Sequence, residues 1–324
     1  MRTTRMRRSL SGAAAVGLLI LLTVLAACGN RYYQATLDTQ PAAASYVAPN
    51  DGAPVDRLMY LITGWARSNE GHQLAGGDAD REIPIPLPVF LIEHRGEYVL
   101  VDTGMNPALG TEPSLYLGKT VAKLAEGQLQ RLTLTPEWSL PARLQAMDVD
   151  PAKISTVVLT HAHFDHTGTN RAFLHAEFVS SGEVFDAGRG GGLAKGYWKK
   201  DFPDEMKMKR IDFTGTPPFL TFTGSYDMFG DGAVVLVPLP GHDPGNIGVF
   251  VRSPKGPTLL AGDAAYSMEN IERLHLPGWL HDAEAEWDTL HRLKQLTETA
   301  PEIRIIPSHD PQVFRALPTA PESM

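Results

Sequence analysis

Cysteine is nearly absent: Cys28 stands alone among 324 residues, so the chain cannot close an internal disulfide. Basic charge is also short. There are 29 Lys and Arg against 37 Asp and Glu, a net charge of −8, which argues against a general nucleic-acid binder. The apolar run Ala13–Ala27 falls short of the roughly 20 residues of a comfortable membrane span. There is no internal repeat. Hydrophobic content, at 43%, is ordinary for a globular protein, and the length suits one large domain or two small ones with an ample core.

The N-terminus has an order of its own. Arg2, Arg5, Arg7 and Arg8 precede the apolar run, which ends Leu25-Ala26-Ala27-Cys28, the layout of a secretory signal. Removing those four arginines from 29 basic residues leaves 25 against 37 acidic, a charge of −12 for the remainder. The last four residues resemble the bacterial lipobox, in which the Cys is lipidated and becomes the mature N-terminus. An uncleaved anchor, or an ordinary signal with a Cys near its cut, are the alternatives. The reading divides the chain into a lipoprotein signal (1–27), a tether carrying the lipid on Cys28 (28–54) and a globular domain (55–320). Each buried lipid methylene adds about 0.8 kcal/mol of membrane affinity. The expected location is the cell envelope, and Gly29, in place of Asp, implies the outer membrane if the host is Gram-negative. Residues 29–54 are rich in Ala, Pro, Thr, Ser and Asn, as a tether would be.

From Val55 the pattern is globular. Strands are expected at Leu58–Thr63, Val89–Glu93, Tyr98–Val101, Ser155–Thr160, Ala233–Val237, Gly248–Arg252, Thr258–Ala261 and Ile303–Ile306, with a hairpin turning at Arg95-Gly96. Helices are expected at Ser114–Leu124, Pro141–Met147 and Ala283–Thr299. The last places Trp287, Leu290, Leu293 and Leu296 at near-helical spacing. Residues 182–218 resist assignment; helical turns and an excursion near the active site are expected there. Groups of strands separated by helices predict packed sheets covered by helices.

The chemistry concentrates in His161-Ala162-His163-Phe164-Asp165-His166, directly after a predicted strand. A core would not gather four polar side chains in six residues, because each needs a partner when buried. Imidazole and carboxylate are ligands that zinc accepts. His161 and His163 can meet one metal while Asp165 and His166 meet a second. Three more candidates follow predicted strands: His242 in Pro240-Gly241-His242, Asp263 in Ala261-Gly262-Asp263, and His309 in Pro307-Ser308-His309. Singly, each reads as a turn or a satisfied core group. Together they complete the number a two-metal site needs.

This set resembles the metallo-β-lactamase superfamily from about Arg57 to Phe314. The resemblance implies an α/β fold: an αββα sandwich, two mixed β-sheets flanked by helices, with the site at one edge. It implies two divalent ions, with zinc expected: His161, His163 and His242 on one, Asp165, His166 and His309 on the other, and Asp263 between them. Val101-Asp102-Thr103-Gly104 resembles the early strand-end aspartate that supports the metal loop without ligating. Two cations about 3.5–4 Å apart can share a water and bring its pKa toward roughly 7, so no serine or cysteine nucleophile is required.

Asp263 favours the dinuclear branch over the lactamases. Tyr266, three residues on, resembles the tyrosine of the N-acyl homoserine lactonases, as do Ile85–His94, Phe229-Gly230-Asp231-Gly232 and Ser308-His309-Asp310. A phenol is a neutral donor near pH 7. The expectation is a hydrolase that opens N-acyl homoserine or related lactones by attack of a metal-bridging hydroxide, with Asp165 and Tyr266 taking part in catalysis. The alternatives are a thioesterase, phosphotriesterase or β-lactamase on the same scaffold, or a non-catalytic binding lipoprotein. The partner is then a small lactone or ester, with the membrane reached through the lipid. Phe164, Tyr197, Trp198, Met268 and Trp279 are candidate pocket walls; Trp287 reads as core, and His72, His94, His175, His275, His281 and His291 as surface or structural.

Overall fold

The computed structural model describes residues 52–318 and 324. The signal, Cys28 and the tether up to residue 51 lie outside the described residues. Among the described residues, twelve strands form two sheets. The first holds β1 (Arg57–Asn69), β2 (Glu82–His94), β3 (Glu97–Val101), β4 (Leu132–Thr133), β5 (Ile154–Val158), β6 (Glu177–Ser181) and β7 (Lys207–Ile211) in the order β4-β1-β2-β3-β5-β6-β7. The second holds β8 (Tyr226–Asp227), β9 (Val234–Pro238), β10 (Ile247–Ser253), β11 (Gly256–Gly262) and β12 (Arg304–Pro307) in the order β12-β11-β10-β9-β8. Both are mixed: β3, β5, β6 and β7 run parallel in one, and β11 and β12 in the other.

Strand alternation builds the layers. Leu58 and Tyr60 of β1 face the interior between the sheets, where they join Val234, Leu236 and Val249 of the second sheet. Met59 and Leu61 point the other way, onto the helices Leu140–Gln145 and Gly182–Gly190. In β9, Val234 and Leu236 turn inward while Val235 and Val237 meet Leu290, Leu293 and Leu296 of the helix Ala283–Thr299. Side chains two residues apart share a face and neighbours do not, so apolar residues at every position give a sheet covered on both sides. The result is the expected four-layer αββα sandwich.

Several expected boundaries shift for physical reasons. β2 begins at Glu82, seven residues before the predicted start. Pro84, Pro86 and Pro88 conceal it, since proline lacks the N–H of a strand interior. They fit because β3 pairs β2 only from Phe90 onward, which leaves this stretch bonded on one side, to β1. The single helix expected at Ser114–Leu124 is two, Pro113–Leu117 and Lys119–Leu124, parted by Gly118 at φ +80°. The unassigned region holds the helix Gly182–Gly190, 3-10 turns at Leu193–Lys195 and Lys199–Asp201, and β7. Three glycines hide that helix, which Ser181 caps through Val184 N–H at 3.3 Å. Ala283–Thr299 falls where its spacing places it, N-capped by Asp282. Among the described residues, no helix is long and apolar enough to cross a membrane.

Candidate metal centre

β9, β11 and β12 point the same way, because β9 and β11 both run antiparallel to β10 and β12 runs parallel to β11. Their ends therefore deliver His242, Asp263 and His309 to one edge. The loop after β5 arrives at that edge from the other sheet, fixed there by the bond from Ile247 N–H to Thr160 O at 2.9 Å. The bonds from Ser308 N–H to Ala265 O at 3.3 Å and from His309 N–H to Tyr266 O at 3.0 Å lock the last two loops together.

All seven predicted ligands converge in two groups that share Asp263: His161, His163, His242 and Asp263, and Asp165, His166, Asp263 and His309. In the first, His163 Nδ1 lies 3.1 Å from His161 Nε2 and 2.9 Å from His242 Nε2. Asp263 Oδ2 is 3.6 Å from His161 Nε2 and 3.4 Å from His242 Nε2. In the second, His166 Nε2 lies 3.1 Å from Asp263 Oδ1, and His309 Nε2 lies 3.4 Å from Asp263 Oδ2. Asp165 Oδ2 is 3.7 Å from both His166 Nε2 and His309 Nε2. A tetrahedron with metal–ligand bonds of about 2.0–2.1 Å has edges of about 3.3–3.4 Å. The observed separations bracket that value, so the donors fit divalent cations. His166 Nε2 and Asp263 Oδ1 are buried without hydrogen-bond partners among the described residues, as donors aimed at a cation would be.

Outer contacts set the tautomers. His166 Nδ1 meets Asp102 Oδ2 at 2.7 Å, and His309 Nδ1 meets Pro86 O at 2.9 Å. His161 Nδ1 meets Thr160 Oγ1 at 3.0 Å, and that hydroxyl donates to Asp102 Oδ2 at 2.8 Å. With the proton on Nδ1 in each, the Nε2 lone pair faces the centre. Asp102 also accepts from Thr160 N–H at 2.8 Å and sits at φ +64°, a region that Asp tolerates. It supports the loop without joining either ligand group, as the resemblance implies.

The buried side chains of the cluster divide electrostatically. Burial pushes His161 and His242 well below the usual imidazole range. Burial would lower His166 and His309 too, but the charge of Asp263 outweighs it and holds both above that range. Burial would raise Asp263, yet the charges of His309, His166 and His161 keep it well below the carboxylate range.

Tyr266 lies beside the centre, its ring 5.4 Å from those of His242 and His309. Burial, then the charges of Asp263, Asp165 and Glu286, push its pKa well above that of a free phenol, so it stays a neutral donor. Trp279 lies beside the centre, its ring 5.2 Å from that of His163. Met268 is partly buried against the apolar cluster around the helix Ala283–Thr299, as Trp287 is. Phe164 and Trp198 pack with Leu87, Met105, Leu109 and Tyr116 beside the metal loop.

Two residues carry roles that sequence reasoning missed. His72, read as surface or structural, stacks on Tyr266 with centroids 5.8 Å apart and meets Trp279 edge-on at 5.3 Å. Burial lowers its pKa to about 4, aided by the neighbouring His309. Only the pairing of distant segments puts it there: Gly278 N–H bonds to His72 O at 3.0 Å and Ala75 N–H to Leu276 O at 2.8 Å. Tyr197, read as a pocket wall, stacks on His163 at 5.4 Å and donates its hydroxyl to Asp243. Asp243 also accepts from Ala162 N–H at 2.9 Å, which ties the excursion and the His242 loop to the metal loop.

The fold, the edge position and the paired donor groups define a class. The chain belongs to the metallo-β-lactamase superfamily, which residues 85–309 match. Its relatives sharpen the comparison. The N-acyl homoserine lactonase AttM of Rhizobium radiobacter is 30% identical over 280 residues, 82% of this chain and 98% of the relative. The N-acyl homoserine lactonase of Bacillus thuringiensis is 27% identical over 269 residues, 83% of this chain and 98% of the relative. A solved N-acyl homoserine lactone hydrolase, with the product N-hexanoyl-L-homoserine bound at its catalytic metal center, is similar at a TM-score of 0.70 and 23% identity, covering 84% of this chain and 100% of that one.

Proposed function

We propose that this protein is a metal-dependent lactonase that opens N-acyl homoserine lactones or close relatives, using two divalent ions, zinc in the first instance. The observation that carries the reading is the pair of four-donor groups sharing Asp263, with the Tyr266 phenol beside them. The lactonase names of relatives matched over nearly their full length support the substrate class.

Bound there, two cations would supply an activated water at neutral pH and polarise the lactone carbonyl. His161, His163 and His242 would hold one ion, Asp165, His166 and His309 the other, and Asp263 both. Tyr266, neutral and a donor, would hydrogen-bond the carbonyl oxygen or the departing alkoxide. Asp165, whose side chain is 19% exposed, would pass a proton at Oδ2 between water and the opened product. Trp279 and His72 would screen the centre from bulk water.

The test is a panel of N-acyl homoserine lactone, simple ester, thioester, phosphotriester and β-lactam on the metal-loaded protein. The lactone should turn over fastest, with activity lost to a chelator and restored by zinc. Turnover of another class with none of the lactone would replace the reading, as would full activity in metal-free protein. We also propose export and lipid attachment through Cys28, on the residue order of the N-terminus. Cys28→Ser should then move the protein from the membrane fraction and abolish incorporation of labelled fatty acid; unchanged labelling would refute this.

A further inference from the structure

Five rings close a circuit beside the centre. His163 and His242 stand 4.7 Å apart by ring centroids, Tyr266 lies 5.4 Å from His242, and Trp279 lies 5.2 Å from His163. His72 completes it, 5.8 Å from Tyr266 and 5.3 Å from Trp279. Its electrostatic neighbours are His309, Asp165, Asp263 and His163, members of both donor groups.

His72 is unusual in what its nitrogens do. Neither makes a hydrogen bond among the described residues, where its side-chain contacts are the two rings. A histidine packed for structure anchors a nitrogen, as His94 does on Asp231 and His275 on Ala75 O, each at 2.8 Å. The His72 ring is half-buried, and its nitrogens are not sealed in the core. Their open polar edge stands among the groups of the centre.

The backbone fixes that place from both sides. His72 N–H bonds to Asn69 Oδ1 at 2.8 Å, and Gly278 N–H to His72 O at 3.0 Å. The buried Asn270 donates through Nδ2 to Gln73 O at 3.2 Å. Gly278 permits the approach, since a Cβ there would run into Gly71 O. A group ordered before binding loses little entropy on binding.

An acylated homoserine lactone carries its amide on the carbon next to the carbonyl. With single bonds of about 1.5 Å, the amide nitrogen lies roughly 3 Å from the carbonyl oxygen, and the acyl oxygen lies further out. A carbonyl held by Tyr266 therefore leaves the amide a few ångströms away, on the scale of the 5.8 Å between the Tyr266 and His72 rings. Neutral imidazole offers one donor and one acceptor, and a secondary amide offers the same pair.

We propose that His72 is a specificity-determining residue, its imidazole hydrogen-bonding the substrate amide while Tyr266 serves the lactone. This rests on the lactonase reading above and deepens it: the site selects lactones that bear an amide beside the carbonyl.

The experiment compares zinc-loaded wild type and His72→Phe on N-hexanoyl homoserine lactone and on an α-alkyl-γ-butyrolactone of matching chain length. Phe keeps a ring against Tyr266 and Trp279 and removes both nitrogens. The variant should lose about 3- to 10-fold more kcat/KM on the amide-bearing lactone than on the amide-free one, the worth of one neutral hydrogen bond. Equal losses on the two would make His72 a packing residue and overturn the proposal. Labelled-histidine NMR of zinc-loaded wild type needs no variant. The opened product N-hexanoyl homoserine should shift the His72 ring nitrogens, and the matching hydroxy acid without the amide should not. An equal response to both, or to neither, overturns the proposal. Wild type that opens neither lactone overturns the lactonase reading itself, a distinct outcome.

Discussion

Asp102→Asn tests whether the buried strand-end aspartate arms the centre from behind. Asn keeps an oxygen for Thr160 N–H, now 2.8 Å from Oδ1. Its amide, however, places N–H groups where Oδ2 accepts from His166 Nδ1 at 2.7 Å and from Thr160 Oγ1 at 2.8 Å. The hydroxyl can rotate to accept instead. The imidazole cannot adapt without moving its proton to Nε2, the atom 3.1 Å from Asp263 Oδ1. The lost contact is a hydrogen bond to a charged group, about 1.5–3 kcal/mol. At about 2–4 °C per kcal/mol for a domain of this size, the melting temperature should fall by about 3–12 °C. Zinc affinity should fall about 10- to 100-fold, because the wrong tautomer blocks a ligand position. Chelator competition and thermal unfolding read the two effects separately. A variant that melts lower yet holds zinc as tightly as wild type would refute the tautomer argument and leave Asp102 as a packing residue.

Tyr266→Phe should cut kcat by about 10²–10³-fold, the range for one transition-state donor, with zinc content unchanged on elemental analysis; loss of zinc instead would make the tyrosine structural. Gly196→Ala should loosen His163, since Gly196 sits at φ +79° and a Cβ there would lie 2.5 Å from His163 Cδ2. Faster zinc loss to a chelator is expected, whereas Gly190→Ala, which meets nothing within 4 Å, should behave as wild type. Asp201 supplies a pH test. Burial raises its pKa to about 7, against the opposing hydrogen bonds from Tyr116 and Thr167. The folded state then keeps a proton that the unfolded chain releases near 3.8, so this group's contribution to stability declines as pH climbs toward 7. Between pH 5 and pH 8 the decline is roughly 2–3 kcal/mol. Asp201→Asn removes it, so the variant's unfolding free energy should gain on wild type by that amount over the interval; a gap independent of pH would contradict the assignment.

Much of the centre was legible because its ligands sit at local landmarks. The hexapeptide follows a β-branched run, and Asp263 closes an apolar strand. Sheets on sheets were legible from strands grouped between helices. β2 was obscured because its prolines conflict with strand propensity, and only the one-sided pairing explains their tolerance. The helix Gly182–Gly190 was obscured because glycine weakens the local signal and the packing of Val184 and Phe185 restores it.

The sequence by itself determined which atoms could ligate and roughly where strands would leave them, because ligand chemistry and strand periodicity belong to residues and their near neighbours. Tertiary structure decided everything that joins segments far apart in the chain. His309 meets a carbonyl 223 positions away, and His242 faces His163 across 79. His72 over Tyr266, Tyr197 on His163 and Glu286 against Gly241 carry no local signature, since each depends on two surfaces brought together by burial of apolar faces that the residue itself does not specify.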